Sequence, residues 1–160
     1  MVSFFYLDIN TYICSQIQTM RSKVTRNKVK LILKWCETEF GKSEYTDKEL
    51  RFRLYNSFGS SYSPDGLCGC YFDKSNTINI FLKAHNNWRE LCRTIIHEYT
   101  HYMLSPKNYD RIYKKMVKAG YSDSDLLLEH PHEIICNMAE DLCTDICYDE
   151  LKKKLYKNKY

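Results

Sequence analysis

His97-Glu98-Tyr99-Thr100-His101 sets two histidines four positions apart, the spacing that stacks their side chains one turn apart on one face of an α-helix. Two imidazoles so placed can hold one metal ion. Glu98 lies just to the side, where it reaches a water beside the metal without ligating the metal itself. That is the local geometry of a zinc hydrolase. Five residues are a short pattern, so the surroundings decide. With Trp88 to Leu104 read as a helix, Leu91, Ile95 and Tyr99 fall on one face, with Cys92 and Ile96 beside them. Glu90, Thr94, His97 and His101 fall on the other, so the histidines line a polar face.

A catalytic zinc takes three protein ligands and keeps a fourth position for water. The extended pattern with a third histidine six residues after the second fails here, because Leu104 and Lys107 occupy the required glycine and histidine positions. The third ligand must therefore come from downstream. Glu133 is preferred, since it opens a polar stripe through Asn137 and Glu140 or Asp141 at the start of the last helix. His132 and His130 compete, because neutral imidazole serves equally well, and Asp110 and Glu140 stand behind them. Asn137, one turn after Glu133, is placed to orient His97 or His101 by accepting an imidazole N–H, as metal-bound histidines require.

The elements that must position these residues follow from periodicity. Ile13, Ile17, Met20 and Val24, then Val29, Leu31, Ile32, Leu33 and Trp35, recur at helical spacing, which predicts one long or broken helix from about Thr11 to Phe40, stopped by Gly41. A short helical or strand segment over Leu50 to Phe58 leads into a Gly/Ser/Pro loop ending at Gly66. Leu67 to Phe72 and Thr77 to Leu82, separated by Asp73-Lys74-Ser75-Asn76, read as a β-hairpin. Asn86 or Asn87 caps the histidine helix and Ser105-Pro106 ends it. Tyr109 to Ala119 is a further helix closed by Gly120. Ser122-Asp123-Ser124-Asp125 reads as a polar connection, and Pro131 starts a last helix running to about Tyr156. The expected fold class is α+β, a small mainly antiparallel sheet packed on the metal helix with helices flanking it.

At 160 residues, 44% hydrophobic, the chain suits one domain with one core. Residues 1–60 read as a helical N-terminal part. The opening Met-Val-Ser-Phe-Phe-Tyr-Leu-Asp lacks the basic start of a signal peptide, and no apolar run is long enough to span a bilayer. An intracellular, cytoplasmic location away from membranes is therefore expected, with the eight cysteines as reduced thiols. Cys68 and Cys70 on one strand face, with Cys143 and Cys147 one helical turn apart, raise a second zinc site as a lesser reading. Arg21 to Lys34 carries six basic residues and no acid, and Leu151 to Tyr160 five lysines. A solvated helix face and a basic tail account for both better than nucleic-acid contact does.

Gly66-Leu67-Cys68-Gly69-Cys70-Tyr71-Phe72, Thr77-Ile78-Asn79-Ile80 and Arg93-Thr94-Ile95-Ile96-His97-Glu98-Tyr99-Thr100-His101 together resemble the core of the ImmA/IrrE-type zinc metallopeptidases. Glu133 to Leu142 is similar to that family's later helix, with Asn four and Ala six positions after a glutamate. The resemblance covers Gly66 to Cys147 and departs in Tyr99-Thr100 and in the N-terminal third. It implies a minimal zincin-like, gluzincin-like fold, a catalytic core over residues 66–147, one zinc per chain held by His97, His101 and Glu133, and peptide-bond hydrolysis in a protein partner.

In that mechanism Glu98 is the general base, taking a proton from water and returning it to the leaving amine. His130, His132, Tyr102, Tyr109 and Tyr121 are the candidates for stabilising the oxyanion. An extended peptide substrate is expected to pair with Thr77 to Leu82 as an edge strand. Two other functions compete: a SprT-like DNA-associated protease, and a catalytically silent metal- or peptide-binding regulator.

Overall fold

A computed structural model describes residues 26–59 and 68–157. The element order is α1 (Arg26–Phe40), β1 (Arg51–Tyr55), β2 (Gly69–Phe72), β3 (Thr77–Phe81), a single 3-10 turn (Leu82–Ala84), α2 (Trp88–Met103), α3 (Pro106–Lys118), α4 (Asp123–Glu129) and α5 (Pro131–Lys157). The α+β class holds. The expected helix from Thr11 is observed from Arg26 onward; its earlier part lies outside the described residues.

α1 buries Val29, Ile32, Trp35 and Cys36, one face of a helix. It stops where Gly41 takes φ +79°, a left-handed cap that side-chain-bearing residues rarely adopt. Asn87 caps α2 by accepting from the Glu90 N–H. Ser105 caps α3 with Pro106 in its first turn, three residues ahead of the expected start at Tyr109. The stretch read as a polar connection is instead α4, because Ser122 and Asp125 cap its first turn reciprocally.

The sheet order is β1-β3-β2. β2 and β3 form the expected antiparallel hairpin, with Gly69 opposite Ile80 and Phe72 opposite Thr77. β1 pairs with β3 in parallel, Arg51 opposite Thr77. The sheet is therefore mixed, not mainly antiparallel, and the N-terminal sixty residues are not all helical. The expectation of Thr77 to Leu82 as an edge strand is also overturned: β3 is paired on both sides, and among the described residues β1 and β2 are the edge strands, β2 beside α2. Asn76 builds this arrangement. It sits at φ 47°, a conformation asparagine tolerates. Its side-chain amide donates to Lys48 O at 2.6 Å, and its Oδ1 accepts from the Tyr71 hydroxyl at 2.8 Å. One buried side chain thus ties the approach to β1 onto the hairpin.

α2 is the central helix. Leu91, Cys92, Ile95 and Ile96 are fully buried among Val29 and Ile32 of α1, Ile78 and Ile80 of β3, and Cys147 and Leu151 of α5. α5 runs antiparallel to α2, as the pairs Arg89–Asp145 and Arg93–Glu140 show. Trp35 Nε1 donates to Glu150 at 3.0 Å and the Tyr99 hydroxyl to Gly41 O at 2.6 Å, so α1 is fastened to both.

Candidate metal centre

His97 and His101 face α5 across a cleft of about 490 Å³ whose walls come from β2, α2, α3 and the start of α5. Their Nε2 atoms lie 3.2 Å apart. Glu133 Oε2 lies 3.4 Å from His97 Nε2 and 3.3 Å from His101 Nε2. A tetrahedral ion with bonds of about 2.05 Å has ligand-to-ligand edges of about 3.3 Å, so these three atoms match one face of such a tetrahedron. The sequence-predicted set of His97, His101 and Glu133 is brought together, with Glu98 alongside.

Cys136, one turn after Glu133 and fully buried, is a ligand candidate that sequence reasoning missed; its Sγ and the two imidazole nitrogens all lie within 4.8 Å of one another. Either His97, His101 and Cys136 or the two histidines with Glu133 could hold a metal ion. The carboxylate is the better placed, because Glu133 lines the cleft and Cys136 does not. Burial, and then the charges of Glu133, Glu98 and Glu140, push the Cys136 thiol upward in the metal-free protein.

His97 is oriented from behind. Its Nδ1 lies 3.2 Å from Glu140 Oε2, and Glu140 Oε1 accepts from Arg93 Nε at 2.7 Å. This chain aims His97 Nε2 at the centre. The expected partner, Asn137, is exposed and takes no part. Seven residues past Glu133 bring a helical side chain back to nearly the same face, whereas four residues overshoot, and the packing of α5 on α2 selects the former.

Charges inside the centre are tightly balanced. Burial lowers the His97 imidazole, but hydrogen bonds to Glu133 and Glu140 and the charge of Glu98 outweigh it and raise its pKa to about 10. Burial raises Glu133, but the two histidines bring its pKa to about 2. Glu98 is buried, and that burial raises its pKa against the opposing pull of both imidazoles and of the Tyr71 N–H, which donates to Oε2 at 2.8 Å. Gly69 makes the approach possible: a Cβ there would lie 2.6 Å from Thr94 Cγ2 and 3.1 Å from Glu98 Cγ.

The other candidates separate cleanly. His130 is fully buried, with Nδ1 accepting from the His132 N–H at 3.1 Å and Nε2 facing Tyr109 O at 3.3 Å, so both nitrogens are committed to joining α3 and α5. His132 lines the cleft, and burial followed by its histidine neighbours lowers its pKa, favouring the neutral imidazole. Tyr109 lines the cleft as well, its ring tilted against that of His130 with centroids 4.1 Å apart. Tyr102 is buried in an aromatic cluster with Tyr71 and Tyr99, and Tyr121 is exposed away from the cleft. Asp110 is an exposed part of the cleft wall. Cys68, Cys70, Cys143 and Cys147 do not assemble: Cys70 lines the cleft, while Cys147 lies in the core against Cys92. Among the described residues, no four-thiolate group forms.

No helix among the described residues is long and apolar enough to cross a membrane. No protein-family model matches the chain, and no curated protein and no solved structure matches it either.

Proposed function

We propose that the protein is a zinc-dependent endopeptidase of minimal zincin-like fold, akin to the ImmA/IrrE-type enzymes, acting on a protein or peptide. The observation that carries this reading is the triangle of His97 Nε2, His101 Nε2 and Glu133 Oε2, open to a peptide-sized cleft with a buried glutamate beside it. Two imidazoles and one carboxylate suit zinc, and an N/O set with a free position fits catalytic better than structural use.

Zinc bound at these residues would polarise a peptide carbonyl and bring the pKa of a water toward neutrality. Glu98 takes the proton of the attacking water and hands it to the leaving amine, a role favoured by its raised pKa. The Tyr71 N–H holds that carboxylate on the cleft side of α2. His132 and Tyr109, both on the cleft wall, are the groups available to donate to the carbonyl oxygen. The substrate backbone runs along β2, the edge strand that lines the cleft, rather than along β3.

The test is metal content together with peptide cleavage. Wild type and Cys136→Ser should each carry about one zinc, while Glu133→Ala loses it. Glu98→Gln should keep the zinc and lose cleavage by about 10²- to 10⁴-fold. Loss of metal in Cys136→Ser with retention in Glu133→Ala would replace the carboxylate by a thiolate and remove the peptidase reading. Zinc binding with no cleavage by wild type of any unfolded or candidate protein would favour a binding regulator.

A further inference from the structure

The cleft in front of the metal centre has an acidic end. β2 runs alongside α2 in the same direction, with Gly69 against Thr94 and Glu98 and the Tyr71 ring against Tyr102. Asp73, which follows β2 directly, therefore lies toward the C-terminal end of α2. Asp110 comes to the same end, one turn after Pro106 on the helix that begins there. Both residues line the cleft, and no lysine or arginine does, in a chain that carries 24 of them against 20 acids. Lys74, Lys107 and Arg111 adjoin the wall in sequence but stand outside it. Among the described residues, neither Asp73 nor Asp110 has an ion pair or a side-chain hydrogen bond. The charges of Glu98 and Glu133 balance a divalent ion at the centre, so Asp73 and Asp110 leave the wall net negative.

The cleft also presents unused polar groups to a ligand. His132, 8% exposed, lines it with no hydrogen bond to either ring nitrogen among the described residues. The Phe81 N–H donates to Cys68 O, so Cys70 and Phe72 turn their backbone groups to β3, while Gly69 and Tyr71 turn theirs to the edge beside α2. A peptide strand laid on that edge reaches Asp73 about two residues, or about 7 Å, beyond Tyr71. Leu104, Pro106 and Tyr109 add apolar surface at this end. A side chain with an apolar stem and a cationic head matches both features.

We propose that Asp73 and Asp110 make this end of the cleft a specificity pocket for a lysine or arginine side chain of the substrate, about two or three residues from the bond that is cut. The pocket rests on the endopeptidase reading and names its substrate class, basic segments of proteins. Acidic segments are turned away by the same charges.

The test starts from a peptide library made by cutting a cell extract at glutamate, digested with zinc-loaded wild type and read by mass spectrometry. Lysine or arginine should be enriched at one position within about three residues of the cuts. The best-cleaved sequence, resynthesised with norleucine in place of that residue, should have a kcat/KM about 10-fold lower, since exposed charges contribute modestly. Asp73→Asn together with Asp110→Asn should bring this ratio close to unity. Asp149→Asn, at an exposed acid of α5 outside the cleft, should preserve it. Cuts without basic enrichment, or a ratio unmoved by the double substitution, overturn the pocket and leave the peptidase reading standing. If wild type cuts nothing, retention of the library on immobilised, zinc-loaded Glu98→Gln decides. Retained peptides rich in lysine or arginine, and lost when Asp73→Asn and Asp110→Asn are added, keep the pocket and remove the peptidase reading; no such enrichment removes both.

Discussion

His97 does two jobs with its two nitrogens, and the second determines how well the first is done. Nε2 faces the centre, while Nδ1 is fixed by Glu140, itself held by Arg93 one turn earlier on α2. Glu140→Gln should weaken zinc binding by about 10- to 100-fold, as loss of a ligand's orienting partner generally does. Asn137→Ala should leave it unchanged; competition with a chromophoric chelator measures both. Equal effects of the two substitutions would mean that Glu140 does not orient His97. The histidine pair was legible in the sequence because its geometry is local, four residues on one helix. Glu133 was legible as the first acid of the last helix. Asn137 and Glu140 stand about a turn apart on that helix, and only the rotation of α5 against α2, a property of packing, decides which faces His97.

At the scale of elements, the approach of β2 to α2 sets the position of Glu98. Gly69 faces Thr94 and the Glu98 stem so closely that a methyl group has no room. Gly69→Ala should destabilise the protein by about 1–3 kcal/mol through overpacking. It should also lower cleavage more than zinc content, since it pushes on Glu98 rather than on the ligands. Thermal melts and metal analysis of the same variant separate the two effects, and an unchanged cleavage rate would detach Glu98 from this contact. The hairpin was legible from the turn at Asp73 to Asn76 between two apolar runs. The parallel pairing of β1 was not, because it joins residues twenty-six apart that share no turn signal, and with it went the assignment of the edge strand. α4 did carry a signal, Ser122 with Asp125 three residues on, in a stretch whose polar composition masked it.

The whole molecule is needed to make the centre, for its parts come from β2, α2 and α5. Metal binding and global stability are therefore linked. In the metal-free protein the His97 pKa stands near 10, above its ordinary 6.5, so its contribution to stability is full below about pH 6.5 and is lost as pH rises through about 10. Glu133, lowered to about 2, contributes fully above about pH 4.5 and loses that contribution as pH falls toward 2. The melting temperature in chelator should fall between pH 7 and 10, and Glu133→Gln should flatten that fall. Identical profiles for the two proteins would show that the pair does not couple to folding. Zinc uptake near neutral pH must expel a proton, which calorimetry in buffers of different ionisation enthalpy detects. The ligand triangle also has an uneven mechanical character. Its 3.2 Å edge lies within α2 and is as rigid as one helical turn, whereas its 3.3 and 3.4 Å edges span from α2 to α5. Glu140 also reaches His97 from α5, so a shift of α5 against α2 bears on the carboxylate at the triangle's third corner and on the orienting partner of His97 together.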